Sequence, residues 1–444
     1  MSTEANDLFR IDSMTLKNFR CFEERTIEFA PQFNVLIGDN GKGKTTVLDG
    51  LTQALTCSVE VIVRGGVASN PTSEADVRIV PFPALGLYHT EPQFPSNVMV
   101  SGVLAGHEIA WSTGRDGPAE GESMDIAMLG PPASGLRDAV SRGDDAHVPV
   151  VAAFKAERQW QHGPRPAGEV LLEGGAPVGS RMRGYSGWSQ PTDTADALVT
   201  WFLAMEIAGF QAGRQELPHL TAVKDAVRTG LADCTDLGYD MQQGALLLKL
   251  EKPDRTLAFN ALSHGQKNML AIVADLAWRC AVLNPHLGAD AARETPGIVL
   301  IDEIDLHLHP RWQRRVVGDL KRAFPKVQFI VTTHSPSVIQ SLRPGELIKL
   351  DGGMRGEYSG KSVEDVLEAA MDIDEPQRSE RYLAMAQAAA SYHRLLRQAG
   401  DADEAERQRL KQDLDALIEP FSDDPAYHAF LRAQRAAAGM DEGT

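Results

Sequence analysis

Gly38-Asp39-Asn40-Gly41-Lys42-Gly43-Lys44-Thr45 stands between the apolar run Phe33-Asn34-Val35-Leu36-Ile37 and the segment TTVLDGLTQAL at 45–55, in which Val47, Leu48, Leu51 and Leu55 share one helical face. A GxxxxGK[ST] pattern with a strand before it and a helix after it predicts a loop that cradles phosphate. Glycines let successive backbone N–H groups converge on phosphate oxygens, and the following helix adds the positive end of its dipole. The candidate nucleotide-binding residues are therefore Gly38, Asn40, Gly41, Gly43, Lys44, Thr45 and Thr46. Lys44 is placed to reach the β- and γ-phosphates, and the Thr45 hydroxyl to ligate Mg2+.

A second stretch supplies acids. Gly297-Ile298-Val299-Leu300-Ile301 is a continuous apolar run, as expected of a parallel strand buried on both faces, and it ends in Asp302-Glu303. Ligands of open α/β sheets bind beyond the carboxyl ends of the strands, where both acids fall. Asp302 is placed to complete the Mg2+ shell with Thr45, and Glu303 to orient and deprotonate an attacking water. Glu303, Asp305, His307 and His309 alternate as they would on a strand, but Pro310 and the helix beyond leave little room for a transition-metal site.

Working outward, residues 8–37 read as alternating strands, and further strands are expected at 97–104, 148–154, 245–250 and 327–332. Helical patterns cover 193–236 and 264–283, so strands alternate with helices in an α/β core. Between 60 and 190 the chain is rich in Gly, Pro and Ser, which predicts an elaborated middle region with long loops. After Gly352 it turns charged, Ala-rich and helical, with Ser362 and Asp365 at capping-box spacing. The expected organisation is a core split between 1–60 and 240–356, a middle insertion over 61–239 that combines β-elements with a helical lobe, and a C-terminal all-α domain over 357–444.

Composition narrows the function. With 444 residues, 43% apolar and 24% charged, the chain has the proportions of a folded protein. A net charge of −17 argues against an extended basic surface along nucleic acid, because phosphate contacts need clustered Lys and Arg. About half of the excess lies in residues 357–444, which hold 19 acidic and 10 basic side chains. Cys21, Cys57, Cys234 and Cys280 are scattered without a CxxC pair, which predicts reduced core thiols rather than a disulfide framework or a zinc site. The opening MSTEANDLFR lacks the basic and apolar regions of a signal peptide, and no apolar run approaches the roughly 18 residues a membrane span needs. A cytoplasmic protein without membrane contact of its own is expected.

Three further segments give these motifs a family likeness. Leu262-Ser263-His264-Gly265-Gln266 opens a helix between the phosphate loop and the acidic strand, Asp305 follows the acids, and Thr332-Thr333-His334-Ser335-Pro336 follows the next strand. Together they resemble the P-loop core of ABC-type ATPases. The resemblance implies that Ser263 and Gly265 meet the γ-phosphate of ATP held by a second copy and that His334 senses this phosphate during catalysis. It also implies that Asp305 crosses the dimer interface and that the working unit is a head-to-tail homodimer using ATP and Mg2+. The family's glutamine loop has no clear counterpart, since Gln159 falls several residues late after the strand at 148–154.

Leu16-Lys17-Asn18-Phe19-Arg20-Cys21-Phe22 resembles the LxNFRxF opening of the RecF and SMC branch, which places Arg20 near the nucleotide. Within that branch the chain is most similar to the PtuA-like ATPases of Septu and retron-associated defence systems. The likeness runs through Phe33–Thr46, Arg181–Ser186, Leu262–Leu276, Arg293–Pro296, Ile298–Ser341 and a tail opening GKSVEDVLEAAMDI. It implies slow ATP hydrolysis that controls a separate HNH nuclease in response to phage, with DNA or RNA engaged through the complex and with oligomers above the dimer open. The competing reading is a DNA repair or recombination ATPase that clamps DNA directly, with Arg311, Arg314, Arg315, Lys321 and Arg322 as its basic face. Asp372-Ile373-Asp374 resembles the DxD of a Toprim nuclease but lacks the apolar strand that such carboxylates need.

Overall fold

The computed structural model describes residues 8–64, 68–84, 87–118, 122–156, 180–189, 194–213, 216–231, 233–240, 245–251, 254–351, 358, 360–373, 375, 377–399 and scattered positions from 409 to 433. Two compact units emerge, Met1–Val366 and Leu367–Thr444.

Two five-stranded sheets form the centre of the first unit. One is antiparallel, made of β1 (Phe9–Phe19), β2 (Phe22–Glu28), β6 (Ser96–Leu104), β7 (His107–Arg115) and β8 (Glu122–Asp125) in the order β2-β1-β6-β7-β8. The other is all parallel, made of β3 (Phe33–Ile37), β9 (Val150–Phe154), β13 (Gly297–Ile301), β14 (Val327–Thr332) and β15 (Leu347–Lys349) in the order β15-β3-β14-β13-β9. Strands β3, β9, β13 and β14 are buried at every residue, which explains why they read as unbroken apolar runs rather than alternating ones. Because all five strands run the same way, the residues that follow Ile37, Phe154, Ile301, Thr332 and Lys349 line one edge of the sheet.

Helix α1 (Lys44–Arg64) begins at that edge and touches strands of both sheets, β6 and β7 on the antiparallel one and β9 and β14 on the parallel one. The Trp111 indole N–H on β7 donates to the Ala54 carbonyl of α1 at 2.8 Å. By length and composition α1 is apolar enough to cross a membrane, contrary to the sequence reading, but most of it is buried inside the protein, so it is a core helix. Buried Gln328 of β14 ties the sheets directly, accepting the Ile11 N–H and donating to the Ile11 carbonyl, both at 2.8 Å.

A helical layer of α3 (Thr194–Gln211), α4 (Pro218–Gly230) and α5 (His264–Leu283) packs together, with α5 also against β9. Inside it, Arg279 donates to Asp275 at 2.7 Å and to the Gly184 and Ser186 carbonyls at 2.9 Å, so this buried charge is fully engaged. The middle region expected to have long loops is more ordered than its composition suggests. Beside the expected strands β6 and β9 it carries the hairpin β4 (Ile79–Ala84) and β5 (Leu87–Pro92), the strands β7 and β8 and α2 (Gly130–Arg142). Prolines inside β4, IVPFPA, and at the start of α2 hid these two. The helical reading of 193–236 overran at its end, where Cys234 opens β10 (Cys234–Asp240), paired to β11 (Ala245–Glu251) and then β12 (Asp254–Ala258).

Before the boundary, Ser362 and Asp365 close their capping box at 3.1 and 3.0 Å and start α6 (Val363–Met371). In the second unit, α7 (Glu380–Ala399) receives the Tyr427 hydroxyl on the Met385 carbonyl at 2.7 Å, while its own Tyr392 hydroxyl donates to the Leu431 carbonyl at 3.2 Å. Asp374 and Gln159 lie outside the described residues.

Candidate nucleotide-binding site

The phosphate loop leaves β3 at Ile37 and enters α1 at Lys44, crossing the carboxyl edge of the parallel sheet. Gly41 and Gly43 take φ of 83° and 91°, the left-handed region that glycine alone enters without strain. A Cβ at Gly43 would lie 2.5 Å from the Phe22 ring and 2.8 Å from Cys21 Sγ, so glycine also lets the loop pass beneath the β1–β2 turn. A Cβ at Gly41 would meet nothing within 4 Å.

Lys44 folds back over its own loop, its Nζ donating to the Gly38 carbonyl at 2.5 Å and the Asp39 carbonyl at 3.1 Å. Burial lowers its pKa below the ordinary lysine value, against the opposing pull of Asp351, Asp302, Asp39 and Glu303. One residue on, the Thr45 hydroxyl donates to Asp302 Oδ2 at 3.1 Å, across 257 residues of chain. Asp302 is buried and accepts a second bond, 2.5 Å, from the Thr332 hydroxyl at the end of the neighbouring strand. Thr332 Oγ1 in turn accepts the Glu303 N–H at 2.7 Å.

The residues after Ile301 do not continue the strand. They make a tight loop in which Glu303 and His307 adopt φ of 49° and 60°, and His307 and His309 stand exposed. Left-handed backbone at two non-glycine positions costs about 1 kcal/mol or more each and persists only where surrounding contacts impose it. Here the contacts are visible. The Thr333 hydroxyl donates to Asp305 Oδ1 at 2.5 Å, Asn268 Nδ2 to the Leu306 carbonyl at 3.3 Å, and Gln313 Nε2 to the Leu308 carbonyl at 3.0 Å.

Ser263 caps α5 in a reciprocal box with Gln266, at 3.3 Å from its Oγ and 3.0 Å from its N–H, and remains exposed. Gly265 sits where a Cβ would lie 2.4 Å from the His307 carbonyl, so the start of α5 is pressed onto the loop after the acids. The structure thus brings Lys44, Thr45, Asp302 and Glu303 together as one group. Ser263 and Gly265 lean on residues 306–308, while Asp305 is bound to Thr333, whose Oγ1 also accepts the Ser335 N–H at 3.0 Å next to exposed His334.

Arg20 is held by two acids. At φ of 48° in the β1–β2 turn, it reaches Asp49 of α1 at 2.5 Å and Asp76 at 2.8 Å. Burial works against its charge, but the bonds from Asp49 and Asp76 outweigh it and hold the guanidinium above its ordinary value. Cys21, expected in the core, is exposed, while Cys57, Cys234 and Cys280 are buried.

The donor set suits a magnesium triphosphate. A buried ammonium, a hydroxyl and a carboxylate converge beside amides freed by glycine, all hard groups of the kind Mg2+ and phosphate oxygens select. Sequence reasoning missed Thr332, which aims both acids, and Asp351, whose carboxylate accepts the Asp39 N–H at 3.0 Å. The spacing of residue types carries no signal for either.

The chain has likenesses among known proteins. An AAA domain family matches residues 13–73, and a second AAA family, whose description also mentions an AbiEii toxin of a type IV toxin–antitoxin system, matches 248–340. The "Retron Ec83 probable ATPase" of Escherichia coli is 39% identical over 159 residues, 34% of this chain and 29% of that protein. "Septu protein PtuA" of Bacillus thuringiensis is 34% identical over 137 residues, 28% of this chain and 34% of that protein. The chain therefore spans about a third of the length of these curated relatives. Among solved structures, an SMC head domain from Thermotoga maritima aligns over 77% of this chain and 94% of that one, with 14% identity and a TM-score of 0.41. By its motifs and its AAA matches, the chain carries a P-loop ATPase core and is similar to the ATPases of retron and Septu systems.

Proposed function

We propose that this chain binds ATP with Mg2+ at Gly38–Thr46 and hydrolyses it slowly, within a head-to-tail homodimer in which each copy closes the other's site. The observation that carries the reading is the run of bonds from Thr45 to Asp302 to Thr332 to the Glu303 amide. It holds a hydroxyl and a carboxylate together as Mg2+ ligation would need, and it supports the next residue, Glu303, as the base beside them. Lys44 and the loop amides bind and orient the phosphates, with Asn40 and Thr46 beside them. Bound Mg2+ neutralises charge on the phosphate oxygens. Glu303 orients the water and takes its proton, and His334, at the end of β14, senses the γ-phosphate. Ser263, exposed at the mouth of α5, and Gly265 meet the nucleotide of the second copy, and Asp305 lies at the interface between copies. Arg20 supports the site through α1.

The relatives' names favour a role in anti-phage defence, in the cytoplasm, with the nucleotide state controlling a separate HNH nuclease and with DNA or RNA reached through that complex. The organisation read from the sequence, a core of 1–60 and 240–356, an insertion over 61–239 and a helical domain over 357–444, is part of the same proposal. Direct DNA clamping is the weaker reading. Of its five proposed cations, Arg315 and Arg322 pair with Asp319, and Lys321 pairs with Glu346.

The test is ATP turnover and mass in solution for the wild type and Glu303→Gln, with and without ATP, followed by capture of an HNH nuclease from the native host. Slow wild-type turnover and an ATP-stabilised Glu303→Gln dimer are expected. A wild type that neither binds nor hydrolyses ATP overturns the reading, and a folded, turning-over enzyme that captures no nuclease overturns its regulatory half.

A further inference from the structure

We propose that Asp351 is a built-in counter-charge of the phosphate loop, a positioning residue that braces the loop's amino end and sets how tightly it takes a triphosphate; the inference rests on the nucleotide site proposed above. Edge strand β15 pairs with β3 so that Lys349 lies beside Ile37, and the Leu350 N–H extends the pairing to the Ile37 carbonyl at 3.0 Å. From β2, Arg25 Nη2 donates to the Lys349 and Leu350 carbonyls at 3.4 and 3.2 Å, which fixes where the strand ends. The next residue therefore stands beside Gly38, where a Cβ would come within 3.0 Å of the Asp351 carboxylate.

The carboxylate uses both oxygens. Oδ2 accepts the Asp39 N–H at 3.0 Å, and Oδ1 lies 3.8 Å from Lys42 Nζ. Since Lys44 Nζ holds the Asp39 carbonyl, Asp39 is gripped at both its N–H and its C=O by opposite charges. The Asp351 side chain is 14% exposed within a residue that is exposed as a whole, so water screens it only in part.

Two effects of opposite sign follow. The hydrogen bond orders the loop before any ligand arrives, which favours binding. The negative charge occupies the field of Lys42 and Lys44 and opposes a polyanion that needs the same field. Asparagine separates them, because it keeps an oxygen acceptor for the Asp39 N–H and removes the charge.

The experiment measures the Kd for ATP of the full chain by titration, together with KM and kcat, for the wild type, Asp351→Asn and Asp351→Ala. Asp351→Asn is expected to bind ATP about three- to tenfold more tightly, with kcat within about twofold of the wild type and with the gap closing as salt rises. Asp351→Ala, which loses the brace as well, is expected to bind more weakly than Asp351→Asn. A folded Asp351→Asn that binds ATP no more tightly than the wild type overturns the proposal. If that variant does not fold, Asp351→Ser is read by the same criterion. A wild type with no ATP binding instead removes the nucleotide site, and the role of Asp351 with it.

Discussion

Thr332 Oγ1 stands between the two acids that follow β13, donating to Asp302 Oδ1 at 2.5 Å and accepting the Glu303 N–H at 2.7 Å. A single buried hydroxyl on β14 therefore sets the direction of the carboxylate that would hold Mg2+ and the backbone of the residue that would handle the water. Thr332→Val keeps the side chain's shape and removes both bonds. It is expected to lower kcat by about ten- to a hundredfold with ATP affinity within about threefold, and to cost about 1–3 kcal/mol in chemical denaturation. A variant with unchanged turnover would show that Asp302 and Glu303 are aimed by other groups.

Lys44→Ala and Glu303→Gln are expected to fail in different ways. Lys44 is the buried ammonium of the loop, so its loss is expected to weaken ATP binding by about a hundredfold or more, read by titration calorimetry. Glu303→Gln is expected to bind ATP nearly as the wild type does while turnover falls by about a thousandfold. The reverse pattern would reassign both residues.

Gly265→Ala would place a methyl group 2.4 Å from the His307 carbonyl, which is backbone and cannot turn aside. About 1–3 kcal/mol of destabilisation is expected, seen as a lower Tm, together with slower hydrolysis because residues 303–309 must shift. An alanine variant as stable and as active as the wild type would mean that α5 and this loop are not held together in solution.

The four thiols should separate cleanly. Burial pushes Cys57 up to about 11 and Cys234 and Cys280 up to about 12, while Cys21 is exposed. A disulfide reagent at neutral pH is expected to modify one thiol in the native protein and four after unfolding. The linkage has a definite sign. Above about pH 9 the unfolded chain releases these three protons and the folded chain does not, so stability is full below that point and falls as pH rises towards 11 and 12. A serine replacement at Cys57 should flatten the alkaline fall in Tm, and an unchanged slope would place its origin elsewhere.

What could be read from the sequence follows the range of the interactions. The phosphate loop, α1, the helix at 264–283 and strands β13 and β14 lie where expected, because each is written in a local pattern of glycine spacing or unbroken apolar residues. Ser362 and Asp365 could likewise be read as a cap, being three residues apart. Thr332, Asp351 and the Asp49–Arg20–Asp76 cluster could not, since their partners close across 30, 312, 29 and 56 residues of chain. The tight loop that carries Glu303, Asp305, His307 and His309 has a related origin. Contacts from Thr332, Thr333, Asn268 and Gln313 override the local preference and bend the backbone into left-handed steps.

Helix α1 begins at the phosphate loop and is gripped along its length by two sheets, one of them through the Trp111 bond to Ala54. The loop is thus mechanically continuous with both layers of the fold, because α1 cannot shift at its head without straining the Trp111 bond and the β6 and β7 faces packed on it.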